Sequence, residues 1–437
     1  MAREFRDSGI EWIEQIPKEW KVCRLKDVGE LYGGLTGKSG DDFNVDDDDT
    51  SYMLFVPFTN IFNNDTIDPT QLYKVKIQVG EEQNLVQKGD LLFLMSSEDY
   101  DGVGKPAIME EQVDNLGLNS FCKGLRITDT NTHSKFLYYL LSSHLHRELV
   151  RQEAKGFIRI NLRQDKLSCC PIFLPPLDEQ QTIADYLDNI CGDIDDMIAL
   201  QEQMIEELKA YKQSIIIETV TKGLNPDVPM RNSGTDWVVE IPVHWETHQF
   251  RRLFSIKKII AGKLGFDVLS VTQKGIKIKD ITKNEGQLAQ DYSKYQLVDI
   301  DDFVMNHMDL LTGYIDCSRN VGVTSPDYRV FRAIDKSKVS LSYYLRIFQA
   351  CYTQKIFYHL GQGVSGLGRW RLPAEQLNLF VLPKPPLDEQ QAIVSFLDEK
   401  CSEIDSLIAI KQQKIEELKE YKKSIIYEYV TGKKEVV

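Results

Sequence analysis

The sequence predicts an α/β protein: two mixed α/β domains are separated by two long helices that form an antiparallel coiled coil, in a pseudo-two-fold, circular arrangement. Three observations predict this fold class: a long segment that occurs twice, a shorter motif before each of two unlike blocks, and a helical period in the repeat. Residues 175–221 and 385–431 are identical at 29 of 47 positions without a gap. A long repeat that occurs only twice indicates two-fold pseudosymmetry, because a solenoid stacks three or more short units.

The shorter motif, S-G-x-[DE]-W-x-x-x-I-P-x-x-W, occupies residues 8–20 and 233–245. We call it the tryptophan motif. The order of motif, unlike block and long repeat occurs twice, which divides the chain at 1–174, 175–224, 225–384 and 385–437. Equivalent surroundings for the two blocks require the end of the chain to lie close to its beginning.

The long repeat has the features of one uninterrupted helix. Two prolines and then acidic residues open each copy, as at 175–179, and both suit the first turn of a helix. A helix of about 40 residues spans roughly 60 Å, so it needs a partner along its whole length, and its twin is the obvious one. The apolar residues recur every three or four positions, and those predicted to pack between the two helices are Leu187, Ile194, Ile205, Leu208, Tyr211, Leu397, Ile404, Ile415, Leu418 and Tyr421.

The blocks between the repeats share landmarks but little sequence. A β-rich run, such as 51–58, precedes an amphipathic helix in each block, at 136–141 and at 341–346. Each block therefore predicts one mixed α/β domain of ordinary size. A shared framework with divergent surfaces indicates different ligands for the two domains.

Charge is unevenly distributed along the chain. The net charge is −14, yet residues 246–386 carry +7 while residues 176–245 carry −10. A further acidic run, Asp46–Asp49, is predicted to form an exposed loop. Because local charge decides which partners bind, the acidic total does not exclude nucleic acid.

Composition also predicts the setting of the protein. No run of 18 apolar residues and no apolar leader are present, so no membrane span or secretion is expected. Eight cysteines occur without C-x-x-C pairs and without histidines at zinc-ligand spacing, which predicts a reduced, cytoplasmic protein without a metal site.

The PPLDEQQ opening, the I-E-E-L-K-x-Y-K-x-S-I-I helix and the tryptophan motif, each present twice, resemble the DNA-specificity subunits of type I restriction–modification systems. The resemblance covers essentially the whole chain. It implies that 1–174 and 225–384 are target recognition domains, each reading one half of a split site in double-stranded DNA. It implies also that 175–224 and 385–437 form a spacer that docks two methyltransferase subunits, with restriction/translocase subunits added. S-adenosylmethionine, ATP and Mg are then expected in the partner subunits, and no cofactor in this chain.

The sequence predicts a recognition subunit that is itself non-catalytic. It contains no D-P-P-Y or N-P-P-[FYW] tetrapeptide, which an adenine methyltransferase would use, and no P-loop for ATP. Residues 361–366 match G-x-G-x-x-G, but they follow a helix rather than a strand, which favours a loop close to DNA backbone over a dinucleotide site. Asp178, Glu179 and Gln180 are predicted to cap the helix and join it to the block rather than to act as acids.

Candidate DNA contacts lie in matched or basic loops. Arginine and asparagine can hydrogen-bond guanine and adenine edges, either can hold a phosphate, and aromatic rings can stack or wedge. The alternative for each residue is a solvated surface charge, or an arginine that bridges block and helix. The candidates are Lys105, Lys155, Arg159 and Asn161 in the first block, with Phe157 as a possible wedge, and Lys274, Lys277, Lys279, Ser365, Arg369, Trp370 and Arg371 in the second.

Two other functions remain open from the sequence. The chain could be a coiled-coil scaffold whose two blocks bind protein rather than DNA, or it could be an enzyme such as a nuclease. Salt dependence of duplex binding separates the first from a DNA-specificity subunit, because counterion release weakens DNA binding as salt rises. Cleavage by the chain alone with a divalent metal separates the second.

Overall fold

A computed structural model describes residues 3–10, 13–45, 51–78, 80–280, 291–363 and 370–436. The acidic run Asp46–Asp49 and two positions of the first tryptophan motif, Glu11 and Trp12, lie outside these residues. The chain folds into two compact units. Unit 1 comprises 1–201 and 413–437, and unit 2 comprises 202–412. Each unit thus combines one globular block with a part of both long helices.

The elements of the first half of the chain alternate short strands with short helices and end in a helix of 46 residues. The strands are β1 (Phe5–Ile10), β2 (Ile13–Pro17), β3 (Lys21–Arg24), β4 (Gly29–Gly33), β5 (Tyr52–Val56), β6 (Tyr73–Lys76), β7 (Leu91–Leu94), β8 (Ser96–Ser97), β9 (Pro106–Ile108), β10 (Leu116–Leu118), β11 (Cys122–Ile127), β12 (Ile160–Asn161) and β13 (Pro171–Leu174). The helices are α1 (Phe58–Asn63), α2 (Ser134–Ser142), α3 (His144–Glu153), α4 (Gln164–Ser168) and α5 (Leu177–Lys222), and 3₁₀ turns occupy Leu25–Asp27 and Gly40–Phe43.

The second half repeats this order and ends in a helix of 44 residues. The strands are β14 (Met230–Asn232), β15 (Glu240–Pro242), β16 (Glu246–Gln249), β17 (Phe254–Lys257), β18 (Leu269–Thr272), β19 (Gly275–Ile278), β20 (Gln296–Val298), β21 (Phe303–Met305), β22 (Ile315–Cys317), β23 (Gly322–Thr324), β24 (Arg329–Ala333) and β25 (Val381–Lys384). The helices are α6 (Phe250–Leu253), α7 (Leu341–Thr353), α8 (Ile356–His359), α9 (Ala374–Leu379) and α10 (Leu387–Val430), and a 3₁₀ turn occupies Tyr292–Lys294.

Both units contain the same four-stranded antiparallel sheet. In unit 1 its order is β4-β11-β7-β9, and in unit 2 it is β17-β24-β21-β22. The pairs β1-β2 and β3-β13 of unit 1 correspond to β14-β15 and β16-β25 of unit 2. The remaining strands differ: β10-β5-β6 of unit 1 contains one parallel pair, whereas unit 2 has the hairpin β18-β19 and the pair β20-β23. The predicted mixed α/β fold with internal two-fold repetition is therefore confirmed.

A buried carboxylate ties two strands of the sheet together in unit 1. Asp90, at the turn before β7, accepts hydrogen bonds from Arg126 of β11 at 2.7 and 3.1 Å and from the Tyr32 hydroxyl of β4 at 2.6 Å. Because an unpaired buried charge is costly, these two partners are needed to keep the carboxylate inside the domain.

Unit 2 places a different set of groups at the same position. Asp302, before β21, is bonded to Arg332 of β24 at 3.1 Å and to the buried ammonium of Lys257 of β17 at 2.7 Å. Lys257 also contacts the carboxylate of Asp299 at 2.7 Å. The strand registers make Lys257 the counterpart of Tyr32, so a cation here replaces a phenol.

The long helices run antiparallel within unit 1. Lys422 of α10 contacts Asp195 of α5 at 2.7 Å, and the rings of Tyr429 and Tyr186 lie 4.5 Å apart. The residue nearer the start of α5, Tyr186, therefore contacts the residue nearer the end of α10, Tyr429. Apolar residues of both helices join the core of the domain, among them Leu187 and Leu418.

The same pairing occurs within unit 2. Lys212 of α5 contacts Asp405 of α10 at 2.6 Å. Both residues are exactly one repeat, 210 positions, from the pair Lys422 and Asp195 of unit 1, with the helices exchanged. The antiparallel coiled coil predicted from the duplicated sequence is confirmed in both units.

Most residues predicted to pack between the helices are buried, but two are not. Leu187, Ile194, Ile205, Leu397, Ile404, Ile415 and Leu418 are buried, and Leu208 is half-buried. The prediction is wrong for Tyr211 and Tyr421, which are 56% and 53% exposed. The buried residues between the two helices form a seam that advances by alternating steps of three and four residues. After Leu208 and Leu418 the step is four, so the next seam residues are Lys212 and Lys422. Their alkyl stems occupy the positions that were predicted for Tyr211 and Tyr421.

The two ends of the chain meet in unit 1. The guanidinium of Arg3 lies 2.5 Å from Glu179 of α5 and 3.7 Å from Glu435, beyond the end of α10. Gly432 has a φ of +70° and packs so closely on Pro17 and Trp20 that a Cβ atom would come within 2.4 Å of the proline. The predicted proximity of the beginning and end of the chain is confirmed.

None of the helices within the described residues combines the length and the hydrophobicity that a membrane span requires.

Candidate nucleic-acid interface

In each unit the start of the long helix is locked to the globular domain. In unit 1, Glu179 accepts a hydrogen bond from the indole N–H of Trp20 at 3.2 Å. The buried amide of Gln180 accepts from the backbone of His133 at 2.8 Å and donates to the carbonyls of Asn131 and Pro175 at 2.9 and 2.8 Å. The side chains following the two prolines therefore join domain and helix, as the sequence predicted.

Unit 2 repeats this junction with equivalent groups. Glu389 accepts from the Trp245 indole at 2.8 Å, and the buried Gln390 accepts from the backbone of Ser340 at 2.8 Å. Gln390 donates to the carbonyls of Lys338 and Pro385 at 3.5 and 2.9 Å. The two junctions hold each recognition surface in the same way on its helix.

Three predicted contacts of unit 1 lie together on one exposed hairpin. Lys155 and Asn161 exchange backbone hydrogen bonds at 3.0 and 2.9 Å, and β12 pairs with β8 at the base. Lys155, Arg159 and Asn161 are all exposed. The amide of Asn161 donates to the carbonyl of Arg159 at 3.1 Å, so this side chain helps to shape the loop.

Arg159 reaches a pocket of about 450 Å³ beside the hairpin. Its guanidinium lies over the ring of Phe121 at 5.5 Å, an arrangement that orients the N–H donors while one face remains covered. The lining of the pocket brings aromatic, hydroxyl and carboxylate side chains together and comprises Phe58, Phe62, Ser96, Ser97, Glu98, Asp99, Phe121 and Arg159. Donors and acceptors so mixed match the edges of base pairs.

Lys105 lies apart from this pocket. Its ammonium donates to the carbonyls of Phe62 and Asn64 at 2.8 and 3.1 Å and is 3.5 Å from Asp65. Burial lowers the pKa of Lys105. It lines a cleft of about 640 Å³ between the domain and the helices of unit 1. Two carbonyls and the carboxylate of Asp65 surround this ammonium, and the DNA contact at Lys105 stays a prediction.

The lysines predicted in unit 2 occupy one hairpin. Lys274 is exposed at the turn between β18 and β19, Lys277 is exposed on β19, and Lys279 is half-buried just beyond it. Lys277 and Lys279 are two residues apart and therefore share a face of the strand. This hairpin presents a basic edge that suits phosphates.

Of the remaining predicted contacts of unit 2, Ser365 and Arg369 lie outside the described residues, which omit 364–369. Arg371 is exposed, and its backbone pairs with Gln362 at 2.9 and 3.1 Å, as Asn161 pairs with Lys155 in unit 1. Trp370 is half-buried and donates its indole N–H to the carbonyl of Tyr358 at 2.7 Å. The ring packs against the core of its own domain, and the stacking or wedging of Trp370 on DNA stays a prediction.

The sequence did not single out Asn306 and His307 of unit 2. His307 lies beside the segment of Arg371, because its carbonyl accepts a hydrogen bond from the Leu372 backbone at 2.9 Å. Asn306 Oδ1 and His307 Nδ1 are buried side-chain atoms that have no hydrogen-bond partner among the described residues. Burial and the charges of Arg329 and Arg371 lower the pKa of His307 to about 4. The Leu372 backbone N–H donates to the carbonyl of His307, just as the Leu162 backbone N–H donates to the carbonyl of Met95 in unit 1. The segment around His307 is therefore the counterpart of the segment after Met95 that forms a wall of the pocket in unit 1.

Sequence reasoning also missed Phe121, which supports Arg159. Nothing in its local pattern separates an exposed phenylalanine from a buried one. A signal for His307 was present in the sequence. Asp90 and Asp302 are equivalent in the two halves, and they align the strands that precede the two pocket walls.

Within the described part of the chain, no group of three or more His, Cys, Asp or Glu side chains is arranged to hold a metal ion. The exposed polar groups of both units are instead suited to hydrogen bonding. The two units thus place different exposed polar groups on the same framework, which is the arrangement of a class of duplicated proteins with two unlike binding surfaces.

Comparison with known proteins identifies that class. The family model of the type I restriction modification DNA specificity domain matches residues 17–210 and 246–420. The chain belongs to this family of type I restriction–modification specificity subunits. Each of the two matched regions contains one recognition block and the beginning of the long helix that follows it.

Similar proteins carry the same designation. The MjaX specificity subunit of Methanocaldococcus jannaschii is 26% identical over 437 residues, which cover 96% of this chain and 95% of the relative. The EcoKI specificity subunit of Escherichia coli is 27% identical over 202 residues, 46% of this chain and 42% of the relative.

Two solved structures share the fold. One is a chain solved in work on the assembly and conformational transition of the type I R-M system, with a TM-score of 0.70, 14% identity and coverage of 95% of this chain and 99% of that one. The other is the HsdS subunit of Thermoanaerobacter tengcongensis, with a TM-score of 0.52, 14% identity and coverage of 95% and 98%.

Proposed function

We propose that each unit of this specificity subunit reads one half of a bipartite, asymmetric sequence in double-stranded DNA, and that the paired helices set the gap between the halves. The observation that carries this proposal is the combination of a repeated framework with unlike surfaces. The junctions at Gln180 and Gln390 are equivalent, whereas the polar groups around Arg159 and Arg371 are not. Different surfaces require different half-sites.

The helices also offer a surface to a partner. In unit 1, Met197 and Leu200 of α5 and Tyr421 of α10 are exposed. Met197 and Tyr421 each directly precede a seam residue, Ile198 and Lys422, so they take the same flanking position of the heptad. Antiparallel pairing brings these flanks to one side of the coiled coil.

Unit 2 repeats this apolar flank. Leu407 and Ile410 of α10 and Tyr211 of α5 are exposed, and they are the twins of the three residues in unit 1. A helix face that stays in water gains nothing from hydrophobic residues at matched positions in both copies. A face that a partner covers does gain from them, because their apolar surface is buried on docking. We assign the two flanks to two methyltransferase subunits, one on each unit.

The chemistry then belongs to the partners. Specificity subunits of this family are non-catalytic. The methyltransferase subunits would supply adenine methylation with S-adenosylmethionine, and the restriction/translocase subunits would supply ATP- and Mg-dependent cleavage. This chain would select the site at which both act.

A block exchange tests the modular reading. The host methylome is first searched for a split methylated motif that disappears when this chain is deleted. Residues 21–174 are then replaced by the block of another specificity subunit, and we expect one half of the motif to change while the other half and the gap stay the same. A change in both halves would contradict the proposal, and exchange of residues 246–384 is the matched control.

The gap is tested by lengthening both helices. One heptad is inserted after Gln201 in α5 and one after Gln412 in α10, which preserves the seam on both sides. Seven residues add roughly 10 Å of helix, or about three base pairs. We expect methylome sequencing to show the same half-sequences with a longer gap, and an unchanged gap would contradict the role of the helices.

A protein-binding scaffold is the remaining alternative. Binding of the complex to the motif duplex should weaken steeply as salt rises, because binding releases counterions from the DNA and added salt opposes that release. An affinity for duplex DNA that depends neither on the salt concentration nor on the DNA sequence would favour the scaffold. Cutting of the duplex by the purified chain alone with a divalent metal would instead indicate a nuclease.

A further inference from the structure

Among the described residues, the most exposed large hydrophobic side chains lie at the tip of one loop in unit 1. Phe157 is 100% exposed and Ile158 is 84% exposed. They are adjacent, and they belong to the hairpin that carries Lys155 and Arg159. Single exposed apolar residues are common on proteins, but a fully solvated phenylalanine next to isoleucine and between two cations is unusual.

The base of the hairpin is held firmly. Ala154, Ile160 and Leu162 are buried on both sides of the loop. The backbones of Lys155 and Asn161 are bonded in both directions, and β12 pairs with β8. The tip is therefore presented by a fixed base rather than by a long free loop.

The sharp turn depends on Gly156. Its φ is +156°, and a Cβ atom there would come within 1.8 Å of the carbonyl oxygen of Arg159. This close approach folds the chain back over the glycine and turns Phe157 and Ile158 outward, away from the buried side of the hairpin. Any larger residue would open the loop.

The charges around the tip select its partner. Lys155 is exposed, and Arg159 is held over Phe121 at 5.5 Å with its donors turned to the neighbouring pocket. Apolar side chains between two cations suit a partner that is anionic along its outside and aromatic within. Duplex DNA has this combination, because phosphates surround a stack of bases.

We propose that Phe157 and Ile158 form an apolar wedge that inserts between adjacent base pairs of the half-site read by unit 1, while Lys155 and Arg159 contact the strands beside it. This inference rests on the proposed function and adds a mechanism to it. Wedges of phenylalanine or isoleucine partly unstack a base step and kink the duplex by roughly 20–90°. The cost of unstacking depends on the step, so the wedge contributes selectivity for flexible pyrimidine–purine steps without hydrogen bonds to bases.

The counterpart in unit 2 is not built in this way within the described residues. Trp370, at the position equivalent to Ile160, packs inward and bonds to Tyr358. The positions equivalent to Phe157 and Ile158, Leu367 and Gly368, lie outside the described residues, so the wedge is proposed for the half-site of unit 1 alone.

The test uses the full chain in complex with its methyltransferase subunits and a duplex that carries the methylated motif. The variants are Phe157→Ala, Phe157→Trp and, as a matched control, Ile334→Ala, which removes an exposed apolar side chain of unit 2. Circular dichroism checks folding, which the exposed position of Phe157 should leave intact. Two-aminopurine is placed at each position of the half-site in turn, and end-to-end energy transfer reports bending.

We expect one step of the unit 1 half-site to show increased two-aminopurine fluorescence and the duplex to bend on binding. Phe157→Ala should abolish both signals and weaken specific binding roughly tenfold, as loss of one base–aromatic stack does, while Phe157→Trp and Ile334→Ala retain them. Specific binding by the wild-type complex without unstacking, or equal signals with Phe157→Ala, would overturn the wedge and leave the proposed function standing. Absence of motif-specific binding by the wild-type complex would overturn the proposed function, and the wedge with it.

Discussion

Asp90 in unit 1 and Asp302 in unit 2 hold equivalent arginines, yet the third group at the same place is a tyrosine hydroxyl in one unit and a lysine ammonium in the other. The junctions at Gln180 and Gln390, by contrast, use the same side chains on equivalent backbone groups. The comparison teaches that the part of each unit that meets the helix is held constant. The interior of the sheet only has to satisfy its buried charge, and the outer loops are free to diverge.

The largest expected effect tests whether the junctions are equivalent. Gln180→Ala leaves two carbonyls and one N–H of the buried backbone without their partner, and we expect a loss of about 3–4 kcal/mol in the free energy of unfolding, measured by denaturant titration. Gln390→Ala should cost nearly the same. The exposed neighbours provide matched controls, because Gln181→Ala and Gln391→Ala should change stability by less than about 0.5 kcal/mol. Strongly unequal costs in the two units would break the equivalence.

The next effect sharpens the difference between the sheets. Lys257→Met removes a buried cation and leaves Asp299 and Asp302 near each other, so we expect a loss of about 3 kcal/mol. Tyr32→Phe removes one neutral hydrogen-bond donor from Asp90, and we expect a loss of about 1 kcal/mol. Hydrogen–deuterium exchange of peptides from each unit assigns the loss to its own sheet. Equal losses would show that the charge of Lys257 makes no special contribution.

Each unit contains a histidine whose contribution to acid sensitivity can be tested by itself. His146 of unit 1 is fully buried and donates from Nε2 to the carbonyl of Pro171 at 3.1 Å, and burial lowers its pKa to about 4. The unfolded chain binds this proton near pH 6.5, so stability is complete above that pH and falls as the pH drops towards 4, by up to about 3 kcal/mol. His146→Gln cannot titrate and should flatten this fall in unit 1 alone, as measured by exchange of its peptides between pH 7 and pH 4. His307 keeps unit 2 acid-sensitive and serves as the internal control.

The smallest effect concerns the ion pairs of the helices. Lys212→Met and Lys422→Met each remove one solvent-exposed pair, with Asp405 and Asp195 respectively. Such pairs contribute about 0.5 kcal/mol or less, and the methionine keeps the apolar stem in the seam. We expect both variants to change the midpoint of thermal unfolding slightly and equally. A large effect from one variant only would indicate that the two halves of the coiled coil are not equivalent.

Much of the fold could be predicted because the relevant signals are local or repeated. The prolines before Leu177 and Leu387 mark the helix starts, and the 210-residue offset pairs the helices. The helical period alone did not predict which residues pack between the two helices. Tyr211 satisfied a spacing of three from Leu208, but the seam followed the step of four to Lys212, because a long alkyl stem can fill a seam position while its charge stays in water.

The candidate site was predicted less well, because a residue type does not state where its side chain points. Lys105 was predicted to contact DNA. In the structure its ammonium points inward to three acceptors, which are the carbonyls of Phe62 and Asn64 and the carboxylate of Asp65. Trp370 looked like a stacking residue, but a carbonyl of Tyr358 takes its indole N–H. Phe121 gave no signal, since its role depends on an arginine 38 positions away.

The sequence by itself determined the duplication, the two long helices and the presence of one unlike block before each helix. Through the repeated motifs it also determined the family. These follow from periodicity and identity, which need no coordinates. The tertiary structure alone decided which polar groups remain available for DNA, and it exposed Phe157 and Ile158 at the tip of a hairpin that Gly156 folds back. The physical reason is that exposure and hydrogen-bond satisfaction are set by residues distant in sequence, whereas helical period and repetition are written along the chain.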